Sequence, residues 1–180
     1  MKIKGVILAL SLVTLSFLLH AQKRAVLDWQ FFKNDRPANG QWQAFTYYNL
    51  LYNYKLLGFE EGKAKLSFVI TNQMDTSRSY FEASRRLKND LYLLKHEQGH
   101  ADIVYIYAIK LRDEYAQTTF SKANYRSEII KIFKIIFAAM RAEQARYDDE
   151  VAHGKNVEEQ QRWNKYFQQT VSEIDQASKS

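Results

Sequence analysis

The sequence predicts an α+β fold, a small and mostly antiparallel N-terminal sheet packed on a C-terminal set of long helices, and a change of hydrophobic period along the chain predicts it. In "KAKLSFVITN", Lys63 to Asn72, the residues Ala64, Leu66, Phe68 and Ile70 alternate on one face while polar residues and Val69 take the other, the pattern of a half-buried strand. From Ser84 the pattern changes: Leu87, Leu91, Leu94, Gln98, Ala101, Tyr105, Ala108 and Leu111 recur at steps of three and four, the pattern of a helix face.

The elements follow in chain order. Lys2 and Lys4 give a basic start, and Val6 to Leu19 is a run of 14 apolar and small hydroxyl residues. That length suits a signal-peptide core and falls short of the roughly 18 residues needed to span a bilayer. Residues 1–21 are therefore expected to be a cleavable secretory signal, with Ala21 at the cut, and 22–180 a single domain with no stable membrane span after cleavage. "VLDWQFF" (Val26 to Phe32) and "QWQAFTYYNLLYNY" (Gln41 to Tyr54) are rich in aromatic and branched residues and flank "KNDRPANG", a turn or loop holding the only proline. "GFEEG" before Lys63 reads as a hairpin turn. One helix is expected from about Ser84 to Gln117 and a second from about Lys122 to Asp149, with Ile129, Ile132, Phe133, Ile136, Phe137 and Met140 as its stripe. A third, mostly polar, runs from Val157 to about Ala177. Trp29, Trp42 and Phe45 are expected in the core or on the sheet surface.

Composition narrows the function. There is no cysteine, so no disulfide framework holds an exported chain together. The formal charge is +6, and without Lys2 and Lys4 the balance is 24 basic against 20 acidic residues, or +4. The charges are interspersed, which argues against nucleic-acid binding.

"LLKHEQGHADI", residues 93–103, carries the chemistry. His96 and His100 stand four apart, on one face of a helix, where both imidazoles reach a single ion. Glu97, next to the first, is placed to act as general base on water whose pKa zinc lowers from 15.7 to about 7. This is an HExxH motif. Gly99 lies in mid-helix, where it costs about 1 kcal/mol relative to alanine, so something is expected to approach the backbone there.

Catalytic zinc takes three protein ligands and leaves a position for water. The extended motif with a third histidine is absent, because Ile103 and Ile106 occupy its further positions. His153, in "YDDEVAHGKN", is the one histidine left after the signal, and an antiparallel helix hairpin would return it past His96. Glu150 is the alternative third or fourth ligand. Asp148 is the first choice, and Asp102 another, for an acid that orients a ligand imidazole from outside. Tyr147 and Arg146 are candidates for stabilising a developing oxyanion.

The residues "LLKHEQGHADI", "YAIKLR" at 107–112, "YDDEVAHG" at 147–154 and "QQRWNKY" at 160–166, with the N-terminal "LDWQFFK", resemble domain-of-unknown-function family 922 (DUF922), bacterial secreted proteins described as predicted zinc-dependent proteases. The resemblance covers most of the chain after the signal. It implies His96 and His100 as zinc ligands, Glu97 as base and His153 as third ligand, in a zincin-like domain. Ala101 stands where that family commonly has an aromatic, and Val151 where it has Thr. The expected function is a secreted or periplasmic zinc-dependent hydrolase, a metallopeptidase acting on a peptide or protein. The alternative is a non-catalytic exported protein with a structural metal site, or an envelope interaction module.

Overall fold

In the computed structural model, which describes residues 24–36 and 43–178, the chain is α+β, with strands first and helices after. The expected signal, residues 1–21, and Trp42 lie outside the described residues. β1 (Asn34–Arg36), β2 (Ala44–Phe45) and β5 (Tyr80–Glu82) form one sheet in the order β1-β5-β2, with β1 parallel and β2 antiparallel to β5. β3 (Tyr48–Glu60) and β4 (Lys63–Met74) form a long antiparallel hairpin. Glu61 (φ 49°) and Gly62 (φ 75°) make its turn, the double positive φ that matches the twist of paired strands.

Two expectations change. "VLDWQFF" is not a strand: Asp28 accepts a hydrogen bond from the Gln30 amide and starts a single 3-10 turn at Trp29–Phe31. The first long helix is two, α1 (Ala83–Leu87) and α2 (Leu91–Gln117). Asn89 takes φ 50°, which ends the first piece, and the Asp90 carboxylate accepts from the Leu93 amide, which starts the second. α3 (Tyr125–Glu150) and α4 (Val157–Ala177) follow.

α2 is the centre of the molecule. Every residue from Ala101 to Ile109 is buried, so the helix is covered on all sides and not along one stripe. The inner face of the hairpin covers one side through Leu50, Ala64, Leu66 and Phe68, and Phe68 stacks on Tyr115 with ring centroids 4.2 Å apart. α4 packs Trp163, Phe167 and Val171 against it. The Tyr115 hydroxyl donates to Ile129 O near one end of the α2–α3 pair and Gln144 Nε2 donates to His100 O near the other, so α3 runs antiparallel to α2. The N-terminal segment is strapped to a further face: Gln98 accepts from the Leu27 amide and donates to Ala25 O, and Arg24 grips Asp102 through two bonds of 2.7 and 2.8 Å. No described helix is long and apolar enough to cross a membrane.

Candidate metal centre

His96 and His100 face α3 from the second and third turns of α2, with ring centroids 4.9 Å apart. Opposite them, in the last turn of α3, Asp148 directs one carboxylate oxygen at both: Oδ1 lies 3.4 Å from His96 Nε2 and 3.1 Å from His100 Nε2. His96, His100 and Asp148 each offer an atom within 4.8 Å of the others, close enough to hold one metal ion.

The surrounding hydrogen bonds decide which imidazole nitrogens face that point. Gln144 Nε2 donates to His100 O, and a backbone carbonyl only accepts, so the Gln144 amide oxygen faces His100 Nδ1, and Nδ1 carries a hydrogen. The same logic holds one turn earlier. The Tyr147 hydroxyl donates to His96 O (3.0 Å) and so accepts from Gln160 Nε2 (2.7 Å); the Gln160 oxygen is then left for His96 Nδ1, 3.2 Å away. Both rings thus turn Nε2 to the carboxylate, the orientation that outer amides impose on ligand histidines. Three acceptors converge with no donor among them, an arrangement stable only with a proton or a cation in the middle, and it fits a divalent ion.

Without an ion, a proton takes that place. Burial alone would lower the His100 pKa, but the Asp148 hydrogen bond and the charges of Glu97 and Asp148 hold it up at about 9. Burial alone would raise Asp148, but hydrogen bonds from His100 and His96 hold its carboxyl well below the usual range. An ion must displace the proton on His100. Metal affinity is therefore expected to fall about tenfold for each pH unit below 9, with about one proton released on uptake at neutral pH. Calorimetric titration in two buffers of different protonation enthalpy measures both; affinity that does not change between pH 8 and 6 would contradict the arrangement.

Tyr147 explains Gly99. It is fully buried and stacks on the His96 ring at 5.0 Å, and a Cβ on residue 99 would come within 2.6 Å of its Cζ and 2.9 Å of Phe167 Cε2. In an open helix Gly99→Ala would add about 1 kcal/mol of stability. Here it is expected to cost about 1–3 kcal/mol from overpacking and to weaken metal binding in step, because the ring that moves also tethers His96. A thermal melt checks the sign: a variant that melts higher than the parent would remove Tyr147 from this role.

The other sequence candidates take separate places. α3 ends at Val151, and Ala152, His153 and Gly154 all have positive φ (48°, 52° and 78°). This left-handed run folds the chain back, so that His153 sits exposed on the wall of the site with Nδ1 3.5 Å from Asp148 Oδ1, beside the group of three. Gly154 lies against His96, where a Cβ would come 3.4 Å from Cγ. Glu150 faces the opposite way and accepts from Trp163 Nε1 (2.8 Å) and Arg162 (3.2 Å). Asp102 is taken by Arg24 and Gln98 on another face of α2. The Tyr147 hydroxyl is buried under the histidines, and Arg146 lies over Trp163, so neither lines the cleft. The outer partners Gln144 and Gln160 are given no role by the sequence alone, although Gln160 opens the "QQRWNKY" stretch.

Glu97 is buried beside His96 and accepts on Oε2 from the Thr46 hydroxyl, which follows β2. It lies in a cleft of about 630 Å³ together with His96, His100 and Asp148. Phe45, read from the sequence as core or sheet surface, lines the same cleft. β2 is the outer strand of its sheet, and its far edge has no strand partner among the described residues.

No curated protein and no solved structure matches this chain. Residues 26–154 match a family model whose description is "Bacterial protein of unknown function (DUF922)". The matched span holds all of α2 and α3 and every residue of the three-donor group; the chain belongs to the DUF922 family.

Proposed function

We propose that the protein is an exported zinc-dependent hydrolase acting on peptides, with His96, His100 and Asp148 as ligands and Glu97 as general base. The observation that carries this reading is the convergence of two imidazole nitrogens and a carboxylate oxygen beside a buried glutamate in an open cleft. Two imidazoles and a carboxylate are the ligand types of catalytic zinc. The ion, when bound, supplies a Lewis acid that polarises a carbonyl and makes water acidic. Thr46 fixes one oxygen of Glu97, and the other takes a proton from the attacking water and passes it to the leaving amine. The outer position of β2 beside the cleft, with no strand partner among the described residues, supports an extended peptide as substrate, because a strand edge offers backbone donors and acceptors at the spacing of a second chain. The basic, apolar start of the sequence, ending at Ala21, supports export.

The test is a mass-spectrometric screen of the purified protein against a peptide library, before chelation, after chelation and after return of zinc. Cleavage that disappears and comes back with zinc supports the reading, and cleavage untouched by chelation overturns it. One observation favours a second reading, a non-catalytic structural metal site: His153 Nδ1 lies 3.5 Å from Asp148 Oδ1, outside the group of three but near enough that a shift of its turn would add a fourth protein ligand. A closed site of that kind does not accept a small hydroxamate, whereas an open one does.

A further inference from the structure

We infer that Arg141 reads a carboxylate on the substrate, two or three residues from the bond that is cut. This rests on the hydrolase reading above and adds to it the chemistry of the ligand. Arg141, Gln144 and Asp148 are spaced at i, i+3 and i+7 on α3 and share one face. Asp148 touches both histidines and Gln144 holds His100, so the face is aimed at the metal centre, and Arg141 continues it along the cleft wall. Seven residues of helix place Arg141 about 10 Å from Asp148 along the axis. An extended peptide covers that distance in about three residues.

The charges of the cleft point the same way. Its acids are engaged: Glu97 by Thr46, Asp148 by the histidines and Glu82 by the Ser84 hydroxyl. Its cations, Arg141 and Lys155, form no ion pair or side-chain hydrogen bond among the described residues. Elsewhere on the molecule Arg24, Arg85, Arg112, Arg146 and Arg162 each grip an acid. An arginine left unpaired in a cleft, with its planar fork of donors, matches the two oxygens of a carboxylate. Arg141 is preferred to Lys155 because it lies on the ligand-bearing face of α3, whereas Lys155 follows the turn that carries His153. The carboxylate is either the C-terminus of a peptide or an acidic side chain.

The experiment measures kcat/KM on peptide pairs, free acid against amide and Glu against Gln at the second and third positions beyond the cut, for the parent, Arg141→Ala, Arg141→Lys and Lys155→Ala. The expected result is a preference of about tenfold or more for the charged member of one pair, lost in Arg141→Ala, partly restored in Arg141→Lys and kept in Lys155→Ala. Preference for the free acid identifies the C-terminus as the source, and preference for Glu identifies the side chain. A parent that does not discriminate, or an Arg141→Ala variant that still does, overturns the inference and leaves the hydrolase reading standing. If no peptide is cut, the hydrolase reading falls, and the inference is then decided on cobalt-loaded protein by visible-spectrum titration with acetohydroxamate and a hydroxamate bearing a carboxylate tail. Tighter binding of the tailed compound to the parent than to Arg141→Ala sustains the anion site; equal binding, or no metal uptake at all, removes it. Arg141 is exposed, so unchanged melting of Arg141→Ala confirms that the variant is folded.

Discussion

Glu97→Gln is expected to lower the rate of peptide hydrolysis by at least a hundredfold, and up to about ten-thousandfold, which is the range a positioned general base contributes, while one metal ion per chain is retained. The prediction depends on the surroundings of the side chain. Glu97 is buried on the helix that carries His96 and His100 and is held by the Thr46 hydroxyl, so glutamine fits the same space and its amide oxygen accepts the same hydrogen bond. What glutamine lacks is an oxygen basic enough to take a proton from water. It also removes a charge that helps to keep the His100 proton in place, so the variant gives up that proton more readily and its metal affinity does not fall by this route. Measuring metal content and turnover on one preparation separates the two effects. Hydrolysis within tenfold of the parent, with metal intact, would take Glu97 out of the mechanism. Loss of hydrolysis together with loss of metal would make it part of the site's structure.

The parts of the fold that a local rule governs were legible in the sequence. The alternation of Ala64, Leu66, Phe68 and Ile70 reads as a strand with one buried face, and those residues do form the inner face of β4. α4 spans Val157–Ala177, and α3 starts within three residues of its expected position, because each has a single apolar stripe against the centre. The break at Asn89 carried a signal too: Asn-Asp before an apolar run is a helix start, and the continuing three-four period of leucines masked it. The outer partners of the histidines were not legible by any local rule. Gln144 and Gln160 lie 44 and 64 residues from the rings they hold, and a glutamine in a polar helix looks like any solvated residue until the fold brings it inward. Gly99 was the opposite case, since a costly residue in mid-helix gave notice of a close neighbour. Only packing could name Tyr147 as that neighbour.

The division of roles proposed for Asp148 and His153 rests on how α3 ends. Had the helix continued for another turn, His153, five residues beyond Asp148, would have lain about 140° around the axis from it and away from the two histidines. The chain instead leaves the helix at Val151 through three left-handed residues, fixed by hydrogen bonds from the His153 amide to Asp148 O (2.9 Å) and from the Asn156 amide to Val151 O (2.9 Å). Asp148 stays in the last turn under the two Nε2 atoms, and His153 curls to the exposed wall. Asp148→Ala is therefore expected to weaken metal binding at least about a hundredfold, the effect of losing one ligand from a site whose whole binding energy is on the order of 10 kcal/mol or more. His153→Ala is expected to keep one ion per chain, with a loss confined to the roughly tenfold to hundredfold range of a group that supports a ligand from outside. Glu150→Gln, changed on the far side against Trp163, is expected to keep the parent's affinity. Elemental mass spectrometry after dialysis at pH 8, followed by competition with a chelator of known affinity, ranks the three variants. An Asp148→Ala protein that stays loaded beside an empty His153→Ala protein would reverse the assignment and make the aspartate the group that orients a histidine ligand.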